Sequence, residues 1–385
     1  MQSPKKVYLD NAATSPLDPM VIKAMTDVMQ ETYGNPSASH SIGRKAKAVI
    51  ETARKQIAAS IKADAKEIIF TSGGTEADNM AIRCAVNDLD VTHVITSPIE
   101  HKAVIGTCEE LEAKGIIELH LVQVDSKGSV DLDHLESIAK QYNGALISLM
   151  HANNELGTLL DYKRVSSIAK ANNCLFHSDT VQTMGHYVCD VKAFGADFLT
   201  CSAHKLNGPK GIGFLYVNKN LNLKPLITGG GQESNQRAGT ENVVGIVGLA
   251  KALEIAFANI EEEQKHIFGI KTYMMQSIQS KLPSVEFNGI NTFEGGLYTV
   301  LNCSLPPQPN NELLLFQLDI EGVCCSGGSA CNSGASTGSH VLNAIQHDTN
   351  RKAIRFSFGR FTKKEDVDYA IEVLSKLLVS ETVVI

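Results

Sequence analysis

The chain has 385 residues, 43% of them hydrophobic, with a formal net charge of −7 and a pI near 6.0. At roughly 150 residues per domain, that length allows two or three globular units with a sizeable core. No run of lysine or arginine is dense enough to track a phosphate backbone, and no window approaches the ~18 consecutive apolar residues of a membrane span, so neither nucleic acid nor a membrane is expected as a direct partner.

The opening segment MQSPKKVYLDNAATSP carries two lysines with no apolar stretch behind them, which reads as an unprocessed, cytoplasmic start. Between Gly43 and Ile61, apolar residues recur at Ala46, Ile50, Ala53 and Ile57, the spacing of one buried helix face. From Glu67 onward short apolar runs alternate with helix-length segments: IIF (68–70), HVIT (93–96), ELHLVQV (118–124), ALISLM (145–150), CLFHS (174–178) and DFLTCS (197–202). This alternation predicts an α/β fold, a mainly parallel central sheet with helices on both faces, whose ligands bind at the carboxyl ends of the strands. The segment NVVGIVGLAKALEIAFANIEEE (242–263) predicts one long helix. After Glu261 a helix is followed by SVEFNGI, LYTVLNCSL and AIRFSFG, a smaller α+β domain. The expected division is a large domain over 15–260 and a small one built from 1–14 and 261–385.

Nine cysteines lie scattered at Cys84, Cys108, Cys174, Cys189, Cys201, Cys303, Cys324, Cys325 and Cys331. Their odd number and irregular spacing do not make a disulfide framework and fit a reducing compartment.

Three predicted strand ends carry polar residues that a packed core would not choose. Asp179 and Gln182 follow CLFHS, Ser202, His204 and Lys205 close DFLTCS, and Gly73, Gly74 and Thr75 follow IIFTS. A phosphate could rest on the backbone N–H groups of Gly74 and Thr75 at the start of a helix, with the hydroxyls of Thr75 and Ser202 as further donors. A lysine among such donors suits a Schiff base with a pyridine aldehyde, and a carboxylate is needed to keep the pyridine nitrogen protonated; Lys205 and Asp179 fill those roles. Singly these signals are weak. A Gly-Gly-Thr turn is commonly just a helix start, a His-Lys pair commonly lies on the surface, and Asp179 could be a helix cap.

The run SAHKLNGPKGIGFLYV (202–217), preceded by HSDTVQTMGH (177–186), resembles the lysine region of the class V aminotransferase group of pyridoxal-phosphate enzymes, specifically the cysteine desulfurases. YLDNAATSP (8–16), GNPSASHSIGR (34–44), FTSGGTEADNMAI (70–82), IEHKAV (99–104), HANNELGT (151–158), GGGQESNQRAGTENV (229–243) and GSACNSGASTGSHVL (328–342) resemble that family's segments in its order. The resemblance implies the fold of type I pyridoxal-phosphate-dependent transferases and conversion of L-cysteine to L-alanine. It implies pyridoxal 5'-phosphate bound covalently by Lys205, with Asp179 on the pyridine nitrogen, Gln182 and Asn154 near the phenolic oxygen, and His101 stacked on the ring and serving in catalysis. Gly74, Thr75, Ser202 and His204 would hold the phosphate. Thr240 would reach the phosphate of a neighbouring subunit, implying a homodimer. Asn35, Asn154 and Arg355 would bind the substrate, Asn35 and Arg355 through its carboxylate, and Cys331 would accept its sulfur as a persulfide.

The lesser readings are an ordinary helix-start histidine for His101 and a strand residue paired with a structural acid for Arg355. A planar bidentate grip on a carboxylate is nevertheless what guanidinium does best. Cys324, Cys325 and Cys331 lack the paired C-x2-C ends usual for zinc, so no metal site is expected. SGGSACNSGASTGS (326–339) is rich in glycine and serine without apolar periodicity, which predicts a mobile loop suited to a thiol that collects sulfur and delivers it elsewhere. The loop resembles that of the long-loop subgroup serving iron–sulfur cluster assembly, which implies a sulfur-acceptor or scaffold protein as partner. Selenocysteine lyases, decarboxylases and aminotransferases of the same fold would need Lys205 and Asp179 but no loop thiol. A non-catalytic scaffold for sulfur carriers would need none of the four residues Lys205, Asp179, Arg355 and Cys331.

Overall fold

The computed structural model describes residues 5–308, 311–327 and 338–379. Its strands are β1 (Val7–Tyr8), β2 (Ile68–Thr71), β3 (His93–Thr96), β4 (Glu118–Leu121), β5 (Leu146–Ser148), β6 (Leu175–Asp179), β7 (Phe198–Ser202), β8 (Gly213–Val217), β9 (Glu286–Asn288), β10 (Val300–Leu305), β11 (Val323–Cys324) and β12 (Lys352–Ser357). Seven of them form one sheet in the order β2-β8-β7-β6-β5-β3-β4. Six run parallel, and β8 is antiparallel to both β2 and β7.

The sheet reads as continuous apolar sequence because both its faces are covered. β5, β7 and β8 are buried at every position, as expected when helices pack on either side. One apolar cluster, with Ile95, Ile147, Phe176 and Phe214, meets the helices Ser41–Ser60 and Val243–Ala258. The other, with Ile69, Val94, Leu146 and Phe198, meets Gly74–Asp88 and Lys102–Ala113. All six predicted apolar runs are strands of this sheet. The sequence reading did not single out β8, whose GFLYV pairs with β7 from Phe198↔Val217 to Ser202↔Gly213.

A separate apolar cluster joins Val7 and Leu9 to residues between Ile267 and Leu378. Here β12-β10-β9 make an antiparallel sheet, and β1 pairs with β11 in parallel. The single helix predicted over 242–263 is in fact two, Val243–Ala258 and Ile260–Lys281, bent by 77°. The break lies at Asn259, whose side-chain amide donates to the carbonyl of Ile255 at 2.8 Å and closes the first helix. Glu261, Glu262 and Glu263 then open the second, where carboxylates favour a helix start. No single helix is long and apolar enough to cross a membrane among the described residues.

Candidate active site

Because β2, β6 and β7 run the same way, their carboxyl ends share one edge of the sheet, and Thr71, Asp179 and Ser202 come together there. After β2 the chain turns through Gly73, at φ 156° and ψ −174°, a conformation that side-chain-bearing residues seldom adopt. At Gly74 a Cβ would fall 2.8 Å from Cγ2 of Val181. The two glycines thus let the first turn of the helix Gly74–Asp88 approach the strand ends, with its unpaired N–H groups available to an anion.

A cavity of about 210 Å³ opens at this edge. It gathers Gly74, Thr75, His101, Asn154, Asp179, Gln182, Ser202, His204, Lys205 and Arg355, ten residues anticipated from sequence, together with Asp78 and His340, which were not. Lys205 Nζ donates to the carbonyl oxygens of Ala12 at 2.5 Å and Ala13 at 2.9 Å. Gln182 Nε2 donates to the same Ala12 oxygen at 3.2 Å. His204 Nδ1 meets Thr14 Oγ1 at 3.1 Å. Burial, followed by the charges of Lys205 and Lys210, pushes His204 down to about 4, so it is neutral at pH 7.

His101 is both of the things its sequence position allowed. It caps the helix Lys102–Ala113, its Nδ1 accepting from the amide of Ala103 at 3.2 Å, and its ring still lines the cavity. An acceptor Nδ1 leaves the proton of the neutral ring on Nε2.

The electrostatics centre on two buried carboxylates. Asp78, Asp179 and His101 each place one donor atom within 4.8 Å of the others. Burial pushes Asp78 up to about 7. Asp179 is raised well above its ordinary value by burial and then by Asp78, against a lowering from His101. Asp78 Oδ1 is buried without a hydrogen-bond partner. His177 lies 3.5 Å from it, but burial drives that imidazole down to about 4, so it brings no charge. Two buried carboxyl groups side by side, one with an oxygen that lacks a hydrogen-bond partner, describe a place for a protonated ring nitrogen. With the phosphate-ready helix start and Lys205 at the same cavity, the donor set fits a pyridine cofactor that carries a phosphate and an aldehyde. Asp78 could have been found in the sequence: in TEADNM it lies one turn after Gly74, on the face carrying the apolar Ala77, Ala81 and Ala85.

Arg355, only 1% exposed, lies at the cavity wall. Its Nη1 donates to the carbonyl of Asn154 at 3.0 Å, its Nη2 pairs with Asp10 Oδ1 at 2.9 Å, and its Nε is buried without a partner. The pairing with a structural acid and the place at the cavity therefore coexist. Two anticipated residues are not brought to the cavity of this chain. Asn35 is exposed, its side-chain oxygen accepting from the Ser37 amide at 2.9 Å, and Thr240 is exposed as well. Cys331 lies outside the described residues. Cys324 and Cys325 precede it, and both thiols are raised, first by burial and then by nearby negative groups, which disfavours their thiolates.

The sequence profile of the family described as aminotransferase class-V matches residues 7–370. The chain is 43% identical to a protein named cysteine desulfurase IscS from Dictyoglomus turgidum over 378 residues, covering 97% of this chain and 95% of that one. It is 42% identical to a cysteine desulfurase IscS of Methanosarcina thermophila, covering 97% and 92%. Among solved structures, a NifS-like protein superposes with a TM-score of 0.89 at 34% identity, covering 98% of this chain and all of the other. SspA in complex with cysteine superposes at 0.78 with 31% identity, covering 93% of this chain and 100% of that one.

Proposed function

As the chain belongs to the class-V aminotransferase family and is a cysteine desulfurase, we propose that its cavity holds pyridoxal 5'-phosphate on Lys205 and that sulfur from L-cysteine passes to Cys331. The observation that carries this reading is the meeting, in one cavity, of Lys205 with the buried pair Asp78 and Asp179. Bound there, the cofactor supplies an electron sink for negative charge at the substrate α-carbon.

The chain's own residues divide the remaining work. The amides of Gly74 and Thr75, with Ser202 and His204, would hold the phosphate. Asp179, backed by Asp78, would keep a proton on the ring nitrogen, and Gln182 and Asn154 would face the phenolic oxygen. His101, with its proton on Nε2, would lie over the ring and exchange a proton with the substrate. Lys205 Nζ would carry the α-proton once the substrate amine has taken its place. Arg355 would receive the substrate carboxylate.

The sulfur step belongs to Cys331. Its thiolate forms a new S–S bond with the substrate sulfur as the substrate Cβ–S bond breaks. The electron pair stays on carbon, which takes a proton to become the methyl group of L-alanine. A thiol of pKa about 8.5 is only a few per cent ionised at pH 7, so a neighbouring base raises the rate of this attack. The persulfide on Cys331 would then pass to an acceptor protein, such as a scaffold for iron–sulfur assembly. Thr240 and Asn35 are both exposed in the single chain; Thr240 would reach the phosphate of a neighbouring subunit and Asn35 would bind the substrate carboxylate, and we assign the enzyme as a cytoplasmic homodimer.

The reading is tested by supplying L-cysteine to the purified holoenzyme and following alanine and protein-bound sulfur together. Alanine in step with one extra sulfur on the peptide containing Cys331 supports it. Alanine released by Cys331→Ser at the wild-type rate overturns the assignment of the nucleophile.

A further inference from the structure

Away from the cofactor cavity, at the free edge of the large sheet, three side chains with lone pairs converge. β3 and β4 pair in parallel with His93 opposite Glu118 and Ile95 opposite His120. Because side chains alternate along a strand, Glu118 and His120 share a face of β4, and the register puts His93 on that face of β3. His93 Nδ1 lies 3.2 Å from His120 Nε2 and 3.5 Å from Glu118 Oε2, and the three donor atoms all lie within 4.8 Å of one another.

We propose that His93, Glu118 and His120 form a peripheral binding site for a divalent transition-metal ion of the zinc class. Ligands about 2.0–2.1 Å from a tetrahedral zinc stand about 3.3 Å apart, so the two measured separations are those of neighbouring ligands around one ion. A hydrogen bond explains less. Nδ1 of His93 carries at most one proton, which can serve His120 or Glu118 but not both, whereas one cation satisfies all three lone pairs. Two imidazoles and a carboxylate suit zinc, copper or nickel over magnesium or calcium, and three protein ligands leave a fourth position for water.

The site is also built. Tyr142 stacks on His120 with ring centroids 4.0 Å apart and tilts against His93 at 4.6 Å, fixing both imidazoles. Glu112, whose Oε1 accepts from the amide of Leu119 at 3.2 Å, adds negative charge beside His120. Such outer partners hold ligands in place and raise metal affinity. The ligands are separated in sequence by the helix Lys102–Ala113 and join only through strand pairing, so no spacing motif announces them. His93 opens β3, at the end of the sheet opposite the cofactor cavity. The ion is therefore a clamp on the edge strand β4 and takes no part in desulfuration.

The test uses holoprotein, whose cofactor fills the cavity, with accessible thiols blocked by N-ethylmaleimide so that cysteine does not compete. After equilibration with Zn2+ alone, wild type should retain one zinc per chain, and X-ray absorption should show only nitrogen and oxygen ligands at about 2.0 Å. His120→Ala should lose that zinc, and Glu118→Gln, which keeps side-chain volume, should weaken it at least tenfold. Unblocked His120→Ala should desulfurate cysteine at the wild-type rate. Retention of the zinc by both variants, or a sulfur ligand at about 2.3 Å, would overturn the site. If His120→Ala fails to fold, Glu118→Gln decides alone.

Discussion

Arg355 Nη2 lies 2.9 Å from Asp10 Oδ1, joining the middle of β12 to the segment that follows β1. The guanidinium is 1% exposed, so Asp10 compensates a charge that would otherwise be buried alone.

Removing either partner should separate binding from stability. Arg355→Lys loses the planar fork and should raise KM for L-cysteine at least tenfold with a smaller fall in kcat. Asp10→Ala strands the guanidinium and should destabilise the protein by about 3 kcal/mol, read as a lower midpoint in urea. A KM unchanged in Arg355→Lys would remove Arg355 from substrate binding.

The pH dependence of stability follows from groups with opposite shifts. Asp78, raised to about 7, Glu100, raised by burial to about 8, and Asp179, also raised, hold protons in the fold that they lose when unfolded. Their contribution is lost as pH rises through the folded values. His151, His177, His186 and His204 are lowered to about 4, so they oppose this trend only below the ordinary histidine value near 6.5. Cofactor-free protein should therefore lose stability from about pH 6.5 to 8. Cofactor should flatten that slope, because a protonated ring nitrogen stabilises the ionised carboxylates. Thermal melts of both forms across this range check the sign, and a steeper slope with cofactor bound would contradict it.

Lys205 should be the only covalent attachment point. Purified enzyme should be yellow, and borohydride should abolish the visible band and leave the cofactor fixed to the peptide containing Lys205. Lys205→Ala should lose this labelling and still retain cofactor through its phosphate contacts, measured by release into acid. Labelling at another lysine would displace the assignment.

Cys331→Ser should bind L-cysteine and change the cofactor spectrum but release neither alanine nor sulfide. Cys324→Ser and Cys325→Ser should keep at least half the wild-type rate, since burial disfavours both thiolates. Mass spectrometry after one turnover without reductant distinguishes them: extra sulfur first on Cys325 would move the nucleophile there.

Where strands and cavity-lining residues sit in consecutive stretches, the chain is readable. The six apolar runs of the main sheet and the strand-end residues Asp179, Ser202 and Lys205 fall in short segments whose periodicity or polarity stands out. The less readable features depend on distant partners. Asp78 looks like one more polar residue of a helix until β6 and β7 bury it beside Asp179. The bend at Asn259 was hidden because apolar residues continue on either side of it, and β8 was masked by the motif that contains it. His93 and His120 acquire a common role only through strand register.

The carbonyls of Ala12 and Ala13 hold Lys205 Nζ, and Asp10, just upstream in the same segment, holds Arg355. The two cationic ends of the cavity are thus connected by the covalent backbone of a four-residue stretch. If Lys205 turned to a cofactor, the Ala13 carbonyl would lose this donor while that of Ala12 would keep Gln182, and if Arg355 took a carboxylate, its pairing with Asp10 would be shared. On the proposed function, a group bound at one end would act on the same short stretch of backbone that holds the other.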